Sequence, residues 1–488
     1  MKKILPLPVY LFLLSGLIAL PLLGHADNSR KRGITLITGP EASDLMHALG
    51  EPLQRAAGIK SGDIRFHVML DNRLNAMALP GQNIILHSGL LLAVRDRDEL
   101  AAVMAHEIGH LSAGHHIQIE STLKDAALRT MVTFAAGIAA AAATGNGQLA
   151  QAAVMGGSAA SQSSLLDTLR EKESQADRLA IHYLSTAGFN PRGMVHFMER
   201  LNREQRLNNL PPPYLLTHPL SSQRLMESQQ QIDALPTPTL DQIVPPANRR
   251  RDLPTRSDKA GGHGEGDNML LARVQAVLEA GTSDDINGVI ARFRKRLELD
   301  PDQLPARYGL AVAERYTGQL QAATSNLEAL LKQHPQDPYL LRERGMVRLE
   351  LGKPDAAEED FRTALQYQAK QTNADLLYRL AFAMNEQEKL ADASRILRQL
   401  TLEHPLVAEY LYLLGVVEGK QNHLGASHLA LARYHYLIME KKMARWHYKQ
   451  AMREFASADA GKNIARDELA KLEQLDKTFL HKEQSSEP

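Results

Sequence analysis

The sequence predicts an α+β chain, mostly helical, with an N-terminal domain built around a small sheet and a C-terminal α-superhelix. Three observations carry this reading. Residues from about 30 to 230 mix strand-like and helical apolar patterns. The stretch LPTPTLDQIVPPANRRRDLPTRSDKAGGHGEGDN, 235–268, is rich in Pro, Gly and charge and reads as a linker. Beyond it, over 269–480, the pattern is helical and repeats itself.

The 488 residues allow two or three domains with sizeable cores. Basic and acidic side chains balance at 56 each, so no global field argues for nucleic acid as a partner. The opening, MKKILPLPVYLFLLSGLIALPLLGHADNS, sets Lys2 and Lys3 before an apolar run that ends on small Gly24 and Ala26. This is the pattern of a secretory signal over 1–26, cut after Ala26; the alternative is an uncleaved anchor, since the run is close to spanning length. Either way the body of the chain, beginning with a domain over 27–234, is exported. Cysteine is absent, which excludes disulfides and thiolate metal ligands and fits a periplasm-like compartment.

Within the first domain, NIILHSGLL, Asn83 to Leu91, reads as a strand. As an edge it would hold an extended substrate by backbone pairing; burial in the sheet centre is the alternative. The chemistry sits in AAVMAHEIGHLSAGHH, 101–116. His106, Glu107 and His110 form H-E-x-x-H, which on a helix puts both imidazoles on one face, within reach of one zinc ion. Glu107 is then placed to hold a water beside the ion and take its proton.

A third protein ligand is needed, and two candidates compete. His116 follows His110 by six residues, the metzincin spacing, but that pattern wants glycine at 113, where Ala113 stands with Gly114 one place late. His115 and His116 read more simply as polar residues at a helix end. The other candidate is Glu173 in LREKESQADRLAIHYLSTAGFNP. Glu173 and Asp177, four apart, share a helix face, so one can ligate while the other orients a ligand histidine. Taken alone they would read as a solvated acidic face paired with Arg170 and Arg178; beside H-E-x-x-H, Glu173 is favoured. Between the two motifs, residues 131–165 are rich in Ala and Gly and nearly uncharged. They read as a helical hairpin serving as a lid or touching a membrane surface or partner, with burial in the domain as the alternative.

The last part repeats with a period near 34. YTGQLQAATSNLEALLKQHPQD and LELGKPDAAEEDFRTALQYQ align Gly318 over Gly352, Ala323 over Ala357 and Leu327 over Phe361; Ala393, Leu397 and Pro405 continue the series. This resembles the tetratricopeptide repeat, whose stacked helix pairs present a concave surface for binding other proteins.

H-E-x-x-H followed about sixty residues later by E-x-x-A-D resembles the gluzincin metallopeptidases of the HtpX and CAAX-prenyl-protease family over roughly residues 30–230. The resemblance implies zinc on His106, His110 and Glu173, Glu107 as general base and Asp177 behind a ligand. It takes in LLTHPLSSQR, where it implies active-site roles for His218 and Arg224. His218 is expected as a removable fourth metal ligand that keeps the enzyme latent, and Arg224 as a stabiliser of developing oxyanion charge. Unlike the membrane-embedded members, this chain shows no set of spanning helices. It is similar to exported members that carry tetratricopeptide repeats. Those imply a zinc endopeptidase, with chaperone activity, working on unfolded or misassembled outer-membrane proteins and meeting the β-barrel assembly machinery through its repeats. The rival is a repeat chaperone or scaffold whose metal site is silent.

Overall fold

The computed structural model describes residues 36–484 apart from 38, 80, 116–167, 208–212, 236–262 and 369–372. The expected signal segment, the stretch 131–165, His116 and most of the expected linker therefore lie outside the described residues.

Helix α1 (Pro40–Ala56) begins on Pro40, whose fixed φ and missing N–H suit a first helical turn. Leu45, Leu49 and Leu53 recur one turn apart and are fully buried, so this face covers the sheet. At Gly50 a β-carbon would stand 2.4 Å from the Phe66 ring, so glycine is what lets α1 lie against strand β2 (Arg65–Met69). The sheet has the order β1 (Leu36–Ile37), β2, β4 (Asn83–His87), β3 (Ala76–Leu79). Strand β4 runs parallel to β2 and antiparallel to β3.

The stretch 83–91 is therefore not an edge. Its first five residues form an inner strand, and Ser88–Ala93 coil into the short helix α2. The alternation of buried Ile84 and Leu86 reports which face is covered, and it looks the same in an inner strand as at an edge. Among the described residues the edge on this side is β3, which packs near α3.

Helix α3 (Arg97–Ser112) carries the H-E-x-x-H motif. The Asp96 side chain caps its start by accepting from the Glu99 N–H at 2.9 Å. Gly114, left-handed at φ 68°, follows its end. Every residue from Glu99 to His110 is buried, so α3 is the central helix of the domain. A fourth helix, α4, spans 168–187. It is followed by α5 (Arg192–Leu207), α6 (Pro213–Thr217) and α7 (Ser222–Asp233).

Helix pairs fill the rest. They are α8 (His263–Thr282) with α9 (Ile286–Leu299), α10 (Leu304–Tyr316) with α11 (Leu320–Gln333), and α12 (Pro338–Glu350) with α13 (Pro354–Tyr367). Then come α14 (Ala374–Glu386) with α15 (Leu390–Glu403), α16 (Ala408–Lys420) with α17 (Leu424–Leu437), and α18 (Lys441–Glu454) with α19 (Ala460–Gln484). The aligned residues Ala323, Leu327, Ala357, Phe361, Ala393 and Leu397 are all fully buried where helices cross. Gly318 and Gly352 turn each pair at φ 73° and 70°. Glu388 and Asn422 hold the same left-handed place in later pairs, at φ 57° and 62°.

The first helix of the repeats belongs to the core of the N-terminal domain as well. Leu271, Val274 and Leu278 of α8 pack in one buried cluster with Leu45 of α1 and Leu91 of α2. Residues 263–268, expected as linker, are already helical. Two of these polar residues are held by the start of α3: Arg97 Nη1 donates to Asp267 at 2.8 Å, and the Arg97 N–H donates to Asn268 Oδ1 at 2.8 Å. The acidic first turns of α1 meet the repeats directly. Tyr339 and Gln368 both donate to Asp44 at 2.5 Å, and the Tyr308 hydroxyl donates to buried Glu41. Removing the shared acceptor by Asp44→Ala should lower stability by about 2 kcal/mol, the scale of a hydrogen bond to a charged group. The check is the urea midpoint of the full chain at unchanged slope.

Candidate metal centre

Two helix pairs of positions meet here. His106 and His110 stand one turn apart on α3, Glu173 and Asp177 one turn apart on α4, and the helices cross where both are narrow. A β-carbon at Gly109 would lie 3.0 Å from the Ala176 carbonyl oxygen, so this glycine and alanine permit the approach that brings carboxylates to imidazoles.

The structure gathers His106, His110, Glu173 and His218 into one buried group whose ligand atoms all lie within 4.8 Å of one another. His106 Nε2 is 3.3 Å from Glu173 Oε2, and His110 Nε2 is 3.2 Å from Glu173 Oε1. The two Nε2 atoms are 3.0 Å apart. His218 enters from the segment between α6 and α7, with Nδ1 3.1 Å from Glu173 Oε1 and 3.3 Å from His106 Nε2. Its ring lies over Tyr214, centroids 4.6 Å apart. Glu107 is buried beside the group. Its Oε1 has no hydrogen-bond partner among the described residues, with His218 Nε2 3.5 Å away.

Asp177 stands behind His106, Oδ1 3.0 Å from Nδ1, and fixes the ring with Nε2 turned inward. Arg224 reaches the same two carboxylates. Its Nε and Nη2 donate to Asp177 at 2.7 and 2.8 Å, and its Nη1 contacts Glu173 Oε2 at 3.0 Å and donates to the Pro219 carbonyl at 2.7 Å. The guanidinium thus spans two carboxylates and a backbone oxygen. Two carboxylates so near each other in a buried place need a permanent cation, and the fork of an arginine supplies one bidentately.

The electrostatics agree with this geometry. Burial by itself would raise the Glu173 carboxyl, but hydrogen bonds from His106, His110 and His218 overcome it and hold the group well below its usual range. Asp177 is also lowered: burial opposes, and His106 and Arg224 prevail. Burial would depress His106, yet Asp177 and Glu173 raise it to about 10. The field that draws a proton to His106 is equally available to a divalent cation. An unpartnered buried carboxylate oxygen, two ionised carboxylates and three converging imidazoles fit a metal ion.

One residue read from the sequence as a helix-end histidine has a different place. His115 is buried, with Nδ1 2.9 Å from His110 Nδ1 and Nε2 3.2 Å from Gln175 Oε1. The sequence signal is its spacing of five from His110, which a helix ending at Ser112 turns back toward the ring.

A family model described as peptidase family M48 matches residues 40–232. Residues 40–232 are an M48 peptidase domain. A tetratricopeptide repeat model matches residues 348–416, within the helix pairs that come after the M48 domain. The beta-barrel assembly-enhancing protease of Yersinia pestis is 27% identical over 372 residues, covering 76% of this chain and 71% of that protein. A putative beta-barrel assembly-enhancing protease of Vibrio cholerae is 35% identical over 205 residues, 41% of each chain. The mitochondrial metalloendopeptidase OMA1 of Schizosaccharomyces pombe is 29% identical over 164 residues, 34% of this chain and 45% of that one. The chain is a metalloendopeptidase, its M48 domain joined to repeats of the kind that bind other proteins.

Replacing Arg224 by Gln should destabilise the M48 domain by about 3–5 kcal/mol, because it leaves buried carboxylates without their fixed cation. Urea unfolding of the metal-free chain measures this, and an unchanged midpoint would refute the clamp.

Proposed function

We propose that the chain is a periplasmic zinc endopeptidase that also acts as a chaperone, serving outer-membrane protein assembly and degrading misassembled outer-membrane proteins. The observation that carries the reading is the buried group of His106, His110, Glu173 and His218. Imidazole nitrogens with one carboxylate oxygen are the donors zinc takes in catalytic sites. In this reading His106, His110 and Glu173 hold one zinc ion per chain. When bound, zinc supplies a Lewis acid that acidifies water near neutral pH and polarises a peptide carbonyl.

The chain's own residues do the rest. Glu107 takes the proton of the attacking water at Oε1 and returns it to the leaving amine. Asp177 holds His106 in the tautomer whose Nε2 is free to bind. Arg224 keeps Glu173 and Asp177 ionised and in place.

His218 is the displaceable member of the group. It follows a five-residue helix and precedes Pro219, while the other three stand on long helices. With zinc held by the other three, His218 would take the place that water needs and keep the enzyme latent. The same contact favours a second reading, a repeat chaperone or scaffold whose metal site is silent.

Location and clients rest on other support. Lys2, Lys3, the apolar run and Ala26 have the pattern of an export signal. The relatives' name, beta-barrel assembly-enhancing protease, supports β-barrel proteins as clients, and the repeats are the part proposed to meet the assembly machinery. No helix among the described residues is long and apolar enough to cross a membrane.

Casein degradation by the mature chain, beside Glu107→Gln and His218→Ala, tests the reading. Loss of the general base should slow cleavage by about 100-fold or more. His218→Ala should cut faster than wild type. A slower His218→Ala variant removes the latch, and a zinc-loaded set in which none of the three cuts favours the scaffold.

A further inference from the structure

Each of the two α3 histidines has a partner behind it, on the nitrogen turned away from the cluster. For His106 the partner is Asp177. For His110 it is His115, whose Nδ1 lies 2.9 Å from His110 Nδ1 while His110 Nε2 faces Glu173 at 3.2 Å. Only one assignment of protons satisfies this geometry with Nε2 of His110 free to bind a metal. His110 carries its proton on Nδ1 and donates it to Nδ1 of His115. His115 must then carry its proton on Nε2, which stands 3.2 Å from Gln175 Oε1, an acceptor. The relay ends on α4, two residues from Glu173 and two from Asp177.

We infer that His115 is a positioning residue of the metal centre: it accepts from His110 Nδ1, fixes the tautomer and ring angle of that ligand, and is itself held by Gln175. This rests on the reading of His106, His110 and Glu173 as metal ligands. Helix α4 then orients both α3 histidines, His106 directly through Asp177 and His110 through Gln175 and His115. A neutral imidazole serves here where a carboxylate serves His106. His115 can accept from His110 without bringing a third negative charge next to Glu173, whose burial leaves little solvent to screen it. Its own burial, at 1% exposed, keeps water from competing for the His110 N–H.

The test is zinc affinity of the metal-free full chain, measured by competition with a chromophoric chelator, together with the melting temperature of the metal-free chain. His115→Phe fills the space without an acceptor. His115→Asn restores one, since Asn Oδ1 stands where His Nδ1 does. The expected result is zinc binding weakened by roughly 10–100-fold in His115→Phe, the usual effect of losing a partner behind a ligand. His115→Asn should recover to within about threefold of wild type at the same metal-free melting temperature. Should His115→Phe fail to fold, His115→Leu takes its place. Wild-type affinity in the variant lacking an acceptor overturns the inference, as does an Asn variant as weak as the Phe one, which would mark a packing role. A wild-type chain that binds no zinc overturns the metal reading itself, a result distinct from either.

Discussion

Glu173 and Asp177, buried one turn apart on α4, set the terms for the structure around them. A buried carboxylate without a partner is costly by several kcal/mol, and two neighbours of the same sign are worse. The fold answers with Arg224, whose guanidinium spans both. That answer has geometric effects. For Arg224 to reach α4, helix α7 must close over it, and the turn that leads into α7 is tied down through the Pro219 carbonyl. The turn carries His218. The residue that fills the fourth place at the cluster is thus held there by the contact that makes the carboxylates tolerable.

Much of this is legible in the sequence, and the limits are physical. H-E-x-x-H and the four-residue spacing of Glu173 and Asp177 report helix faces, and helix faces survive folding unchanged. The pairing of the two faces is legible only by resemblance, since no local pattern says that Gly109 meets Ala176. Arg224 stands out by position, while its contacts are hidden, because a charge in sequence does not reveal which partners reach it first. His115 gives little sign of its role because a histidine beyond the helix end has no periodicity to read; its place depends on the turn after Ser112. Strand Asn83–His87 shows its buried face in the sequence and hides its neighbours, as alternation encodes one and not the other.

The repeats show the same division. Glycine marks the turn at 318 and 352, while Glu388 and Asn422 take the identical backbone conformation with no glycine to announce it. The expected linker gives no sign that helix α8 begins inside it. Polar residues 263–268 are drawn into helix by the apolar turns on their C-terminal side and by Arg97, a residue far away in sequence. Most important for function, the boundary between the parts is not where the composition changes. Leu271, Val274 and Leu278 complete the core over which the helices of the His–Glu cluster lie. A chain ended at the compositional boundary would open that core to water.

The close crossing at Gly109 and Ala176 bears on how the cluster's side chains are spaced. Ligand spacing in flexible sites adapts to the ion, with side chains and loops drawing in or spreading out to suit its radius. Here backbone meets backbone on one side, and the Arg224 fork ties α4 to α7 on the other. The donor set of three imidazoles and one carboxylate differs from the six to eight oxygens that a calcium ion takes. The narrowness of one glycine thus sets how near the two faces that carry the cluster can come.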